Sequence, residues 1–255
     1  MSISITVCSG KGGTGKSTIV ANLGAALARL GKDVVILDAD INMGSLELIL
    51  GMEGMEVTLR DVLAGEAEVY EAIYTGPSGL RVIPAGVSLA NLQGLARENL
   101  GEVVNALKRV DFLLIDSPPG LGRGVISAIS ASREVLLVVV PEISSLSDAL
   151  KAKIVANKLG AHVVGAVLNR TTFQAGDLSA KEVGSILEVP ILAVVPEDVE
   201  VRRSSAFAQP FVLRAPDSPA AQAVMELASK IAGEVYMPPG RGETFIERLL
   251  QVIDE

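Results

Sequence analysis

The sequence predicts an α/β fold, a single domain whose mostly parallel sheet is flanked by helices. Three observations predict it. Short runs rich in Val, Ile and Leu recur along the 255 residues and are apolar at successive positions, as strands covered on both faces must be. Helical patterns closed by glycine separate them, which is the alternation of a sheet with helices on both sides. Aromatic residues make up 3% of the chain and Trp is absent, so the core is aliphatic, which suits a buried parallel sheet and not a β-sandwich. With 49% hydrophobic and 20% charged positions, the chain can bury one large core but is short for two.

ISITVC, Ile3 to Cys8, reads as the first strand and runs into CSGKGGTGKST. That stretch meets the pattern G-x-x-x-x-G-K-[ST] at Gly10, Gly15, Lys16 and Ser17, between a strand and a helix, the setting a phosphate-binding loop requires. Its glycines let successive N–H groups curl around phosphate oxygens, the helix start adds its positive end, and Lys16 adds a full charge. Ser17 offers a hydroxyl to Mg²⁺. The helix, STIVANLGAALARLG, starts at Ser17 and stops at Gly31. DVVILD (Asp33 to Asp38) is the second strand, and LDAD at its end sets Asp38 and Asp40 on one side if the strand runs that far. Asp40 reads either as a reactive carboxylate or as a cap for the helix in NMGSLELILG.

LRVIP (Leu80 to Pro84) follows, then DFLLID (Asp111 to Asp116). The latter leaves Asp116 at a strand end, suited to a Mg²⁺ shell, with a helix cap as the plainer alternative. EVLLVVV (Glu134 to Val140), a helix SSLSDALKAKIVANKLG ending at Gly160, HVVGAVLN (His162 to Asn169) and ILAVV (Ile191 to Val195) complete the alternation. Ligands of such a sheet bind at the carboxyl ends of its strands, where these candidates fall. YMPPGRGE, Tyr236 to Glu243, reads as a break, so the expected organisation is a domain over 1–236, a linker over 237–243 and a short amphipathic helix over 244–255. That helix carries Phe245, Ile246, Leu249, Leu250 and Ile253 on one face. Being only about 15 Å long, it needs a surface to fold on.

Several functions are disfavoured by composition. A formal charge of -8 and a pI near 4.9 argue against a broad cationic surface, so nucleic acid is a poor partner. The single cysteine, Cys8, forms neither a disulfide nor a C-x-x-C pair; it reads as a small buried hydrophobe and leaves an iron–sulfur carrier without ligands. No cationic leader with an apolar core opens the chain and no run reaches spanning length, so a cytoplasmic location is expected. NKLG, Asn157 to Gly160, has glycine where a guanine reader places aspartate, which disfavours GTP.

The loop also carries the narrower pattern K-G-G-T-G-K-S-T, Lys11 to Thr18. On that motif, together with LDAD and LIDSPPG, the chain resembles the MinD/ParA family of deviant Walker A P-loop ATPases, and its MinD branch most of all, over nearly its whole length. The resemblance implies ATP/ADP and Mg²⁺ as cofactors, bound by Gly10, Lys11, Gly12, Gly13, Thr14, Gly15, Lys16, Ser17 and Thr18. It implies an ATP-dependent homodimer in which Lys11 reaches the partner's phosphates, against the plain reading of a solvated loop lysine. Ser17, Asp38 and Asp116 would surround the metal, and Lys11, Lys16 and Asp40 would be the catalytic set, with Asp40 orienting water. SPPG would be the second switch. Adenine contacts map to Asn169 and Arg170 of LNR and to Pro196, Glu197 and Asp198 of PED, although Asn169 also suits a turn.

Slow hydrolysis stimulated by an unidentified activating or effector protein is implied, as is a positioning role in cell division. In the family the tail is membrane-targeting, which would put the protein on the inner face of the cell membrane through residues 244–253. Its charge departs from that pattern, because Arg248 stands against Glu243, Glu247, Asp254 and Glu255. Membrane, partner protein and the chain's own domain therefore all stay open as its surface. Two neighbouring roles share the switch: a ParA-type DNA-partition ATPase, for which the chain offers only scattered pairs such as Arg202 and Arg203, and a regulator of flagellum placement.

Overall fold

The computed structural model describes residues 2–41, 44–86, 100–174 and 176–235, so the linker and tail helix expected over 237–255 lie outside the described residues. Eight strands form one sheet: β1 (Ile3–Cys8), β2 (Val34–Asp38), β3 (Tyr74–Thr75), β4 (Arg81–Ile83), β5 (Phe112–Asp116), β6 (Glu134–Val139), β7 (His162–Thr171) and β8 (Ile191–Pro196). Their spatial order is β3-β4-β2-β5-β1-β6-β7-β8, with every neighbouring pair parallel except β3 and β4. The seven strands expected from the sequence are all present. β3 escapes sequence reading because two residues show no periodicity.

Ten α-helices connect the strands among the described residues: α1 (Lys16–Arg29), α2 (Leu46–Leu50), α3 (Leu59–Ala64), α4 (Leu100–Ala106), α5 (Arg123–Ala131), α6 (Ile143–Lys158), α7 (Ala180–Leu187), α8 (Val199–Ala206), α9 (Phe211–Arg214) and α10 (Pro219–Ala232). Their ends follow local chemistry. Gly31, at φ 77°, turns the chain out of α1, and Ser179 and Ser218 cap α7 and α10 with their hydroxyls.

Side chains alternate across the sheet into cores on both faces, as the two-sided hydrophobic runs require. Ile36 and Leu114 pack with α1, α9 and α10; their neighbours Val35, Leu37, Leu113 and Ile115 pack with α3 and α4. Under α5, α6 and α7 a third cluster gathers Val135, Leu137 and Val139. α1 lies so close to the sheet that a Cβ on Gly24 would stand 2.7 Å from the Ile36 side chain. Among the described residues no helix is long and apolar enough to cross a membrane.

Candidate functional site

The carboxyl ends of β1, β2, β5, β7 and β8 converge on the loop between β1 and α1. Gly13 and Gly15 adopt φ 79° and 85°, conformations open to glycine and strained for other residues. Gly15 has a second constraint, since a Cβ there would lie 2.4 Å from Asn169 Nδ2. Gly10 has its own: α6 presses so close that a Cβ would be 2.2 Å from the Asp148 backbone. α1 starts with no side-chain cap and no acidic residue in its first turn. Its leading N–H groups and the positive end of the helix thus face the loop, ready for an anion.

Lys16 is 7% exposed and its Nζ lies 2.5 Å from Asp116 Oδ1. Ser17 helps hold down the shift of the same carboxyl, while Asp116 Oδ2 and Thr14 Oγ1 are buried without a partner. Asp116 stands beside Asp38 in register on the parallel strands β5 and β2. Burial pushes both carboxyls up, Asp38 to about 7 with Asp116 repulsion as the second cause, and Lys16 opposes the shift at each. Two crowded carboxylates, an orphaned oxygen, a serine hydroxyl and an anion cradle fit Mg²⁺ with nucleotide phosphates. Among the described residues no group of three or more His, Cys, Asp and Glu forms a ready-made cage, and Mg²⁺ characteristically takes one or two carboxylates and keeps oxygens from water and phosphate.

β2 ends at Asp38, where DVVILD was read to end, so the condition for Asp38 and Asp40 to share one side is not met: Asp40 lies in the following loop. The capping role is also reassigned. Asp38 Oδ2 accepts from Ser45 N and Leu46 N at 3.1 and 3.2 Å, at the start of α2, and its Oδ1 accepts from Asp40 N at 3.0 Å. Lys11 is drawn away from the carboxylates, with Nζ 3.6 Å from Glu142 Oε2 and 3.4 Å from Ser144 Oγ at the start of α6.

A cleft of about 410 Å³ adjoins the loop and includes Gly13, Thr18, Asn169, Arg170, Pro196 and Asp198 in its wall. Asn169 and Arg170 belong to β7 itself, not to the loop after it, because the strand runs on to Thr171 past a bulge at Arg170, whose φ is 60°. Pro196 likewise ends β8. Asn169 Nδ2 donates to Thr14 O at 2.8 Å, which ties the cleft wall to the phosphate loop. Arg170 pairs with Glu197 at 2.9 Å. Asp198 is the surprise: its oxygens accept from Glu200 N and Ala220 N at 2.9 and 3.2 Å, tying β8 to α8 and α10. Its carboxylate is thus a clip for the cleft wall.

Sequence reading missed Val201, Arg202 and Ser205 of α8 and Phe211 of α9, which complete the cleft, and Glu142 and Ser144, which hold Lys11. None lies in a motif; only tertiary packing brings them to the loop and the cleft. Cys8 is fully buried, bonds Ser117 Oγ at 3.7 Å, and its thiol is pushed up to about 11 by burial.

A protein-family model, ParA, described as an NUBPL iron-transfer P-loop NTPase, matches residues 1–232. An ATP-binding protein of Methanocaldococcus jannaschii, itself called uncharacterised, is 50% identical over 254 residues, spanning 98% of this chain and 96% of its own. The septum site-determining protein MinD of Pyrococcus horikoshii, solved with Mg-ADP, superposes with a TM-score of 0.87 at 38% identity, covering 91% of this chain and 96% of that one. The cell division ATPase MinD of Pyrococcus furiosus gives 0.88 at 41% identity, with 91% and 99% covered.

Proposed function

This chain belongs to the ParA family of P-loop NTPases and is a MinD-like ATPase within it, and from that premise we propose that its ATP cycle is a dimerisation switch that positions a partner or structure in the cell. The observation that carries this reading is the division of labour between the two loop lysines. Lys16 is buried against Asp116, inside its own site, whereas Lys11 is 46% exposed at the rim on Glu142. A cation held at the rim suits a charge offered across an interface when two copies meet, as an arginine finger is.

Within one subunit, the loop amides and Lys16 would hold the nucleotide phosphates, and Ser17, Asp38 and Asp116 would hold Mg²⁺, which when bound would supply charge neutralisation for phosphoryl transfer. Asp40, beside the carboxylate pair, orients the attacking water; Asn169 Oδ1 accepts from the adenine amino group and Arg170, Pro196, Glu197 and Asp198 line the base. Catalysis is then positioning and charge, with no covalent intermediate. Basal turnover is slow, because a second copy and an activating protein complete the site.

Where the surface met by residues 244–253 is a membrane, a dimer would present that segment twice, and two weak anchors together bind far better than one. An iron-transfer role finds no support in the chain, since its one cysteine is buried.

The test is light scattering after gel filtration with Mg-ATP or Mg-ADP, paired with vesicle sedimentation of the full chain and of a truncation ending at Pro239. Asp40→Ala should accumulate ATP dimers and lose hydrolysis; Lys11→Ala should lose both. Asp40→Ala that stays monomeric in ATP would remove the switch, and pelleting independent of nucleotide would detach the membrane from it.

A further inference from the structure

Glu47 lies outside every group assigned above, yet it is a carboxylate only 6% exposed in the first turn of α2. Its Oε1 accepts from Gly86 N at 3.2 Å, on the backbone leaving β4. The two residues before it, Ser45 and Leu46, donate their amides to Asp38 Oδ2, and Asp38 Oδ1 in turn receives Asp40 N. This five-residue helix is therefore fastened twice: to the carboxylate pair by its backbone, and to the end of β4 by Glu47.

The joint is tight on both sides. A Cβ on Gly44 would stand 2.7 Å from Ala85 Cβ and 3.2 Å from Asp38 Oδ2. Gly86, at φ 87°, closes on Thr58, where a Cβ would meet Oγ1 at 2.4 Å, and Leu59 N donates to Pro84 O at 2.8 Å. The exit of β4 is thus a firm abutment, built from α3, against which α2 can be braced. A helix this short has little stability of its own, so its placement depends on such ties. A charge-assisted bond from a backbone N–H to a buried carboxylate is among the stronger ones available.

We propose that Glu47 is a positioning residue for hydrolysis: it braces α2 on the end of β4 and, through the first amides of α2, holds Asp38 and Asp40 in line with Asp116. The proposal rests on the assignment of Asp38 and Asp40 to metal and water, and Glu47 itself touches neither.

The test is steady-state ATP hydrolysis by the full chain, titrated with ATP and with Mg²⁺, for Glu47→Ala, Glu47→Gln and Gly44→Ala, with Asp40→Ala alongside and thermal melts of each. Glu47→Ala should lower kcat roughly ten- to hundredfold, as small misplacements of reacting groups do. Its KM for ATP should stay within about twofold, because the phosphate loop is untouched. Glu47→Gln keeps an oxygen acceptor for Gly86 N and should recover most of the rate, which a lost charge alone would not allow. Gly44→Ala disturbs the same joint from the other side and should follow Glu47→Ala. A folded Glu47→Ala with wild-type kcat overturns the proposal, as does Glu47→Gln no faster than Glu47→Ala. Should Glu47→Ala fail to fold, Gly44→Ala decides, and a wild-type kcat there overturns it equally. Full activity in Asp40→Ala would instead bring down the assignment beneath it, an outcome separate from failure at Glu47.

Discussion

Lys16 and Asp116 form an ion pair in which the two side chains are 7% and 1% exposed. Removing one partner of such a pair leaves a buried charge uncompensated. Lys16→Met should therefore abolish nucleotide binding and also destabilise the protein, by up to about 3–5 kcal/mol in urea unfolding at neutral pH. Protonation of Asp116 absorbs part of that cost, and adding Asp116→Asn should restore stability but not binding. Asp38 makes the pH dependence specific. Its folded pKa is raised from 3.8 to about 7, so the folded state holds a proton that the unfolded chain has released. Stability from this group is fully present below about pH 4 and lost as pH rises through about 7. Chemical unfolding without nucleotide should show that fall, and Asp38→Asn should flatten it. Gly15→Ala would force a Cβ to within 2.4 Å of Asn169 Nδ2 at φ 85°, so nucleotide affinity should fall sharply in calorimetric titration while the strands stay formed.

At the scale of elements, α8 and α10 hang on Asp198. Its carboxylate satisfies amides at the start of both helices, and α8 carries Val201, Arg202 and Ser205 into the cleft beside the phosphate loop. Asp198→Ala should cost about 0.5–2 kcal/mol of stability, the usual cost of a lost cap. It should weaken nucleotide binding moderately without shifting preference between ATP and GTP, because the proposed function assigns the base amino group to Asn169; a selective gain of GTP binding would return Asp198 to the base. The strands were legible because two-sided burial writes continuous aliphatic runs into a sequence. The end of β2 at Asp38 was legible too, whereas β7 runs on past Asn169 because a bulge at Arg170 absorbs an extra residue.

For the whole molecule, the three cores lie within the described residues up to Ala232, with α10 closing one face. A chain truncated after Pro239 should therefore melt within a few degrees of the full protein and hydrolyse ATP at the basal rate, losing only what its tail binds. Mg-ADP at a hundredfold over its Kd should stabilise either form by about 2.7 kcal/mol. The phosphate loop, the helix it opens and the strand-end carboxylates were determined by the sequence itself, because turn conformation, helix start and two-sided burial depend on neighbours along the chain. Tertiary structure decided the rest. Only packing shows that Asn169 grips a carbonyl 155 residues away, that Lys11 goes to Glu142 and Lys16 to Asp116, and that Glu47 braces the helix that Asp38 caps. Those contacts join elements distant in sequence, and which oxygen meets which amide is set by how the helices settle on the sheet, which no local pattern encodes.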